Sequence, residues 1–171
     1  MASKMEEEFL KVYEAQNDAI FRYCYFRVYN REKARDLTQE AFIKAWTYLK
    51  DGKEVQNLKA FIYRVANNLI IDDVRKKKET SLDALAENGF DPSLGTQTSE
   101  ENRIDGLILK ETLQLLDEEY REVVYMRYIE NLQPREIAEI LNESVNIISV
   151  RIHRGLKKLK KILTDQSVRD K

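Results

Sequence analysis

Hydrophobic side chains recur every three or four residues along the first 80 positions, which is the spacing of amphipathic helices. The pattern predicts a first helix over residues 6–29, and Asn30 is a suitable N-cap for a second helix. Asp51 and Gly52 end the second helix, and Asn57 can cap a third. The second helix has a stripe of small and apolar residues that we expect to face inward: Ala34, Leu37, Ala41, Ala45 and Leu49.

The helical periodicity fades between residues 80 and 101. Asn88-Gly89 and Asp91-Pro92 are turn signals within this stretch, and acidic residues outnumber basic ones there. A segment of this length without a helical pattern is typical of a linker. The sequence therefore predicts a first domain at residues 6–79, a flexible linker at residues 80–101 and a second domain at residues 102–164.

A second set of helical patterns follows the predicted linker. Thr98 and Glu101 have the spacing of a capping box, and Asp117 is placed to cap the next helix. Pro134 suits the first turn of a short helix, and a longer helix follows Ser144 and runs to about residue 163. The first helix of this block has an apolar side: Ile104, Leu107, Ile108, Leu115 and Leu116. We predict an all-α fold with two small helical domains.

Residues 134–161 have the parts of a helix-turn-helix in order: a short helix, a tight turn and a longer second helix. Ala138 is small enough for two helices to cross closely, and Asn142 tolerates the left-handed backbone that such a turn needs. One side of the longer helix is apolar: Ile148, Ile152, Leu156, Leu159 and Leu163. The opposite side, which we expect to enter the DNA major groove, is mainly polar and cationic: Asn146, Val150, His153, Arg154, Lys157 and Lys161.

Basic residues accumulate towards the C-terminal end of the chain. From Val145 onwards there are eight Lys and Arg against two Asp, although the net charge of the whole chain is only −1. Such a stripe suits binding to DNA phosphates. Taken alone, it fits a solvated, lysine-rich helix end better. The complete helix-turn-helix, rather than the charge run, favours DNA binding.

The composition disfavours several functional classes. Cys24 is the only cysteine, so no internal disulfide can form and we expect a cytoplasmic protein. Residues 1–8 are acidic, and no run approaches the roughly 20 apolar residues of a membrane span. We therefore expect no signal peptide and no direct membrane contact. There is one histidine, His153, and neither a metal-ligand cluster nor a glycine-rich phosphate loop, so we expect no cofactor and no enzyme activity.

Motifs in both blocks resemble one protein family. In the first block they are residues 36–46 (DLTQEAFIKAW), residues 61–68 (FIYRVANN), Asp72 and Arg75. In the second block they are residues 116–124 (LDEEYREVV), 127–128, 136–138 and 151–156 (RIHRGL). In this order and separation they resemble the extracytoplasmic-function (ECF) sigma factors, the smallest sigma-70-type subunits of bacterial RNA polymerase. The resemblance spans about residues 9–163.

The resemblance implies that the second helix binds core RNA polymerase, through the clamp-helix coiled coil of the largest polymerase subunits. The residues concerned lie opposite the inward stripe: Asp36, Gln39, Glu40 and Ile43. An acidic and polar face with one apolar residue suits a protein partner better than DNA. From the residues alone, an ordinary solvated face remains open. We expect Trp46, at the end of the motif, to belong to the core.

The resemblance also implies that the third helix and the loop before it contact the melted minus-ten element of a promoter. The candidate contacts are Asn57, Arg64, Asn67, Asn68 and Arg75. In the family, the loop that corresponds to residues 50–57 captures an unpaired base, and stacking must compensate for its removal from the duplex. This loop has no aromatic residue, so Phe61 and Tyr63 are candidate platforms, although each also suits the core. Asp72 and Arg75 have the spacing of a helical ion pair, which is a competing role.

The second block resembles sigma region 4, which binds the minus-thirty-five promoter element as duplex DNA. The resemblance assigns this contact to six residues of the longer helix: Asn146, Ser149, Val150, His153, Arg154 and Lys157. The chain departs from the family pattern at Ser149 and Val150, where members often have a basic residue followed by serine. This departure leaves the promoter sequence open.

Promoter recognition together with core RNA polymerase is the function that the resemblance implies, with promoter DNA bound both as a duplex and as a melted strand. An anti-sigma factor is a frequent further partner in the family, although no residue here demonstrates one. The alternative is a stand-alone helix-turn-helix regulator that binds duplex operator DNA and dimerises through its first block. Changes at Asp36, Gln39 and Glu40 would discriminate, since they should abolish polymerase binding in one case and a homodimer in the other.

Overall fold

A computed structural model describes residues 3–80 and 110–169 of the chain. These residues belong to two compact units, which lie within Met1–Phe90 and Asp91–Lys171. Every regular element in the described ranges is an α-helix, so the predicted all-α fold with two small helical units is confirmed. Except for its first residue, the predicted linker lies outside the described residues, as does the capping box predicted at Thr98 and Glu101.

The first unit contains the helices α1 (Lys4–Val28), α2 (Arg31–Lys50) and α3 (Leu58–Thr80). Side-chain oxygens cap all three helices: the caps of α2 and α3 were predicted, whereas the Ser3 cap of α1 was not. The amide oxygen of Asn30 accepts a hydrogen bond from the backbone N–H of Lys33 at 2.9 Å, and that of Asn57 accepts one from Ala60 at 3.0 Å. Each bond satisfies a backbone donor that has no partner within its own helix.

The core of the first unit lies where its three helices face one another. Small alanines on α2 allow the neighbouring helices to approach closely. Leu49, expected on the inward stripe, is only half-buried because α2 is about to end. An ion pair of 2.7 Å between Lys33 and Asp73 also joins α2 to α3. The fully buried side chains of this core are Ile20, Tyr23, Cys24, Ala34, Ala41, Ala45, Ala60, Ile62, Tyr63, Ala66 and Ile70.

The second unit begins, in the described part, with helical residues 110–114. It continues with α4 (Glu118–Tyr128), α5 (Pro134–Leu141) and α6 (Val145–Arg169). Pro134 occupies the first turn of α5, as predicted. The helix α6 runs past its predicted end near residue 163, and its last buried residue is Leu159. Its final turns therefore extend beyond the packed part of the helix.

A buried core and an arginine clamp hold the second unit together. The guanidinium of Arg121 on α4 donates hydrogen bonds to the backbone carbonyls of Leu113 at 3.2 Å and Leu116 at 2.9 Å. These carbonyls close the preceding helical segment, so the clamp fixes that segment against α4. The core contains the buried side chains of Leu113, Leu116, Val123, Met126, Leu132, Ile137, Ile140 and Ile148.

Three sequence-based expectations for the second unit are wrong. Leu115 was expected on an apolar helix side but is 58% exposed, because it lies in the turn that follows residues 110–114. Leu163 is 41% exposed because it lies beyond the packed part of α6. Asp117 precedes α4, but its side chain makes no capping hydrogen bond. Its carboxylate instead accepts a hydrogen bond from the ammonium of Lys158 at 2.9 Å.

Among residues 3–80 and 110–169, no helix has both the length and the apolar content needed to cross a membrane. Within those same ranges, no group of three or more His, Cys, Asp or Glu side chains is placed to hold a metal ion.

Candidate functional site

The outer side of α2 presents the four residues that the sequence singled out for a protein partner. Asp36, Gln39 and Glu40 are exposed, and the side chain of Ile43 is 64% exposed. They share one face because their spacing of three and four residues follows the helical turn. The expected acidic and polar face with one apolar residue is therefore present, on the side of α2 that its buried alanines do not use.

An apolar groove of about 540 Å³ lies beside this face, between α1 and α2. Gln39 and Ile43 form part of its wall, so the groove and the polar face are continuous. Trp46, expected in the core, is half-buried there, with its ring centroid 5.0 Å from that of Phe9. The remaining lining residues are Glu6, Leu10, Tyr13 and Phe42. The sequence pattern did not reveal the groove, because Phe9 and Tyr13 have the spacing of ordinary core residues.

The outer side of α3 carries Arg64, Asn68 and Arg75, all of them exposed as expected. Arg75 forms the predicted ion pair with Asp72 at 3.2 Å, so its charge is partly neutralised within the helix. Asn57 contributes its side-chain oxygen to the cap of α3. Of the five candidate contacts with melted DNA, these four lie at the surface or at the start of the helix.

The fifth candidate, Asn67, was expected on the outer side of α3, and that placement is wrong. Its side chain is 4% exposed and faces the core. The amide oxygen accepts hydrogen bonds from the hydroxyl of Tyr23 at 3.1 Å and from the guanidinium of Arg27 at 3.2 Å. Position 67 lies about one helical turn after Tyr63 and about one turn before Ile70. Both of these side chains are fully buried, so Asn67 shares their inward face.

Aromatic side chains flank the loop between α2 and α3. The rings of Tyr48 and Phe61 lie 4.8 Å apart, and the ammonium of Lys53 lies 4.7 Å from the centre of the Tyr48 ring. Tyr63, the other platform proposed from the sequence, is fully buried against Tyr23 and is thus unavailable to a base. Tyr48 was not predicted as a stacking platform, because it lies in α2 and not in the loop. Its position close before the loop was the feature of the sequence that could have indicated this role.

The helix α6 divides into two sides as the sequence predicted. Ile148, Ile152 and Leu159 are buried, while all six candidate DNA contacts are exposed: Asn146, Ser149, Val150, His153, Arg154 and Lys157. The turn before α6 has the expected left-handed Asn142, with a φ of 54°. The hydroxyl of Ser144 then caps α6 by accepting a hydrogen bond from the N–H of Ile147 at 3.2 Å.

Ion pairs tie α6 to the rest of the helix-turn-helix unit. The guanidinium of Arg151 lies 3.2 Å from the carboxylate of Glu143 in the turn and 3.8 Å from that of Glu119 on α4. Lys158 donates to Asp117, and this hydrogen bond holds the pKa of Asp117 below its usual value and raises the pKa of Lys158. The basic stripe is therefore not uniform, because some of its cations already have acidic partners.

Comparison with known proteins identifies this arrangement. Residues 12–80 match the family Sigma-70 region 2, and residues 106–159 match the family Sigma-70, region 4. The two units therefore make the chain a sigma-70-type subunit of RNA polymerase. The sequence is 34% identical to the ECF RNA polymerase sigma factor SigW of Bacillus subtilis (strain 168), covering 94% of this chain and 91% of that protein. The chain belongs to the ECF sigma factors and directs promoter-specific transcription; a stand-alone regulator is not favoured.

A further relative and two solved structures are also similar to this chain. The ECF sigma factor SigE of Mycolicibacterium smegmatis is 31% identical over 88% of this chain and 59% of its own length. Among solved structures, the sigma factor RpoE of Bartonella quintana, in complex with the anti-sigma factor NepR, shares the fold with a TM-score of 0.71. The two sequences are 21% identical, and the match covers 95% of this chain and 98% of the RpoE chain. CnrH, in complex with the cytosolic domain of CnrY, has a TM-score of 0.66 at 22% identity, covering 92% and 88%.

Proposed function

We propose that the first unit binds core RNA polymerase through the outer face of α2, formed by Asp36, Gln39, Glu40 and Ile43, together with the adjoining apolar groove. The observation that carries this proposal is that the polar face and the groove are continuous through Gln39 and Ile43. A helical partner inserts apolar side chains into such a groove, while polar residues at the rim fix its orientation. A purely solvated face would not need the groove beside it.

The substitution Ile43→Glu tests this proposal. A carboxylate at the wall of the groove would have to lose its hydration when an apolar partner binds, so we expect at least a tenfold weaker affinity for core polymerase. The matched control is Ile71→Glu, which changes a 49% exposed isoleucine on α3 outside the groove. Affinity would be measured with purified full chain and core enzyme by fluorescence anisotropy. Equal effects of the two substitutions would count against the α2 face.

The outer side of α3 and the loop before it are proposed to hold the melted strand of the minus-ten element. Arg64 and Asn68 supply polar contacts to the strand. The pair of Tyr48 and Phe61, with Lys53 beside it, supplies an aromatic and cationic surface for an unpaired base. Asn57 contributes by capping α3 and so fixing the end of the loop.

Promoter opening, measured with a fluorescent base analogue, tests this assignment. Replacing Tyr48 with leucine keeps an apolar side chain but removes the stacking surface, so open-complex formation by the reconstituted holoenzyme should fall several-fold. Polymerase binding should stay unchanged. If the Tyr48→Leu variant opens promoters at the normal rate, the aromatic pair does not hold the unpaired base.

The outer side of α6 is proposed to contact the duplex minus-thirty-five element. Arg154 carries a planar fork of donors that suits a base edge or a phosphate, and Asn146 lies near the start of the helix, where a recognition helix meets the bases. Replacing Arg154 with alanine should weaken binding to a promoter duplex by about tenfold, which corresponds to the roughly 1–3 kcal/mol of one bidentate contact. Unchanged affinity at low and moderate salt would contradict the assignment.

An anti-sigma factor is also proposed as a partner. RpoE of Bartonella quintana was solved with an anti-sigma factor, and this chain shares its fold. The apolar groove between α1 and α2 gives this chain a surface that such an inhibitor could cover. A protein that co-purifies with the tagged chain should inhibit transcription by the reconstituted holoenzyme, and failure of every co-purifying protein to inhibit would argue against this partner.

A further inference from the structure

The centre of the outer side of α6 is aliphatic. With 100° between successive residues, Val150 lies almost directly opposite the buried line formed by Ile148, Ile152 and Leu159. Its side chain is 47% exposed, and that of Ile147, one turn earlier on the same side, is 42% exposed. Core packing therefore does not explain why this position is apolar.

Polar and cationic side chains surround this valine. Asn146 and Arg154 lie one turn before it and one turn after it, and both are exposed. Val150 and Ile147 also line a shallow depression of about 310 Å³, together with Tyr120 of α4. An aliphatic spot enclosed by hydrogen-bonding groups indicates a surface that recognises one apolar group among polar ones.

In the major groove of DNA, the apolar group that a base pair presents is the C5-methyl of thymine. A valine can neither donate nor accept a hydrogen bond, so it cannot read the polar base edges or bind a phosphate. We propose that Val150 reads a thymine methyl group in the upstream duplex element, with Ile147 widening the apolar contact. This inference rests on the proposed placement of α6 in the major groove.

The chemistry of valine suits this role. Its branched side chain has essentially one rotamer within a helix, so it loses little conformational freedom when it meets a base. Loss of one buried methyl group changes affinity by about fourfold. A contact of this size selects one base without dominating the total affinity, which comes largely from phosphates.

Deoxyuridine differs from thymidine only by the missing methyl group, so it provides the test. The holoenzyme would first select its promoters from a genomic library, and thymines in the upstream element of the most enriched fragment would be replaced one at a time. We expect one or two positions at which replacement weakens holoenzyme binding by about fourfold. With the Val150→Ala variant, the same replacement should have a clearly smaller effect, because most of the aliphatic contact is gone.

The matched control is Val168→Ala, which removes the same atoms from a 70% exposed valine near the end of α6. This variant should keep the full sensitivity to deoxyuridine. If no thymine in a bound upstream element is sensitive, or if Val150→Ala keeps the full sensitivity, the proposed methyl contact is wrong, although α6 can still lie in the major groove. If Val150→Ala and Arg154→Ala both leave duplex binding unchanged, the placement itself fails and the inference fails with it.

Discussion

The side-chain oxygen of Asn67 on α3 accepts a hydrogen bond from the hydroxyl of Tyr23 on α1 at 3.1 Å. The guanidinium of Arg27 donates to the same oxygen at 3.2 Å and to the Tyr23 hydroxyl oxygen at 3.1 Å. Tyr23 is fully buried, so this polar cluster lies in the interior of the first unit. Asn67 therefore bonds to other residues in the interior of the first unit, although it belongs to a motif that resembles a DNA-binding one.

Replacing Asn67 with alanine should destabilise the first unit. The substitution removes one acceptor of the buried Tyr23 hydroxyl and of Arg27, which costs about 1–3 kcal/mol of unfolding free energy. Urea unfolding of the full chain, followed by circular dichroism, would measure the change. The neighbouring variant Asn68→Ala is the control, because Asn68 is exposed. It should change the unfolding free energy by less than about 0.5 kcal/mol, and equal losses in both variants would contradict the structural role.

Three asparagines show what could and what could not be predicted from the sequence: Asn30, Asn57 and Asn67. The two caps follow from local chemistry, since each side chain bonds to a backbone N–H only three residues away. Asn67 bonds to Tyr23, which is 44 residues distant, and no local pattern distinguishes it from Asn68. The apolar groove escaped prediction for the same reason, because it exists only once α1 and α2 lie side by side.

The two sides of α6 were predictable because their period follows the helix, whereas its end was not. The apolar pattern stops where packing stops, near Leu159, but backbone hydrogen bonds continue the helix to Arg169. The absence of a helix breaker in this lysine-rich stretch permits the extension. The partners of Arg151 and Lys158 were also unpredictable, since they lie on other elements.

Gly155 of α6 packs closely against α4. A Cβ atom at this position would lie 2.7 Å from Cγ2 of Val124 and 3.3 Å from Cβ of Tyr120. Gly155→Ala should therefore destabilise the second unit by about 1–3 kcal/mol through overpacking. Alanine also favours the helix by about 1 kcal/mol, so the measured loss should fall towards the lower part of that range. Thermal unfolding of the full chain gives the value.

The compensating variant Gly155→Ala with Val124→Ala separates a steric clash from other causes. Removing Cγ2 of Val124 creates the space that the new methyl group needs, so the double variant should be more stable than the sum of the single effects predicts. Simple additivity would show that the close approach of the two helices does not determine the cost.

Cys24 should make the stability of the first unit dependent on alkaline pH. Burial raises the pKa of its thiol to about 11 from an ordinary 9.0, although Thr38 and Arg27 oppose this shift. The folded state therefore keeps a proton that the unfolded chain loses above pH 9. The stability that this thiol contributes to the folded state is complete below pH 9 and is lost as the pH rises towards 11. Between pH 8 and pH 10, the unfolding free energy should fall by about 1 kcal/mol from this group.

The variant Cys24→Ala isolates this effect from tyrosines and lysines, which titrate in both proteins. Its unfolding free energy should depend less steeply on pH over the same interval. Thiol labelling gives an independent check, since the folded wild-type protein should react slowly at pH 8 and the urea-unfolded protein quickly. Equal pH slopes for the two proteins would contradict the raised pKa.

Lys157 and Lys158 are neighbours on α6, yet they should contribute differently to DNA binding. Lys157 lies on the outer side of the helix, whereas the ammonium of Lys158 donates to Asp117 at 2.9 Å and lies 4.6 Å from the centre of the Tyr120 ring. Because Lys158 would have to exchange an existing acidic partner for a phosphate, Lys157→Ala should lower the dependence of log affinity on log salt by about one ion, and Lys158→Ala by clearly less. Titrations of a promoter duplex with holoenzyme over a salt series measure both slopes.

The variant Asp117→Asn should raise the affinity at low salt by releasing Lys158, and this gain should disappear in the double variant with Lys158→Ala. Equal slopes for the two lysine variants would mean that the ion pair does not restrain Lys158 when DNA is present.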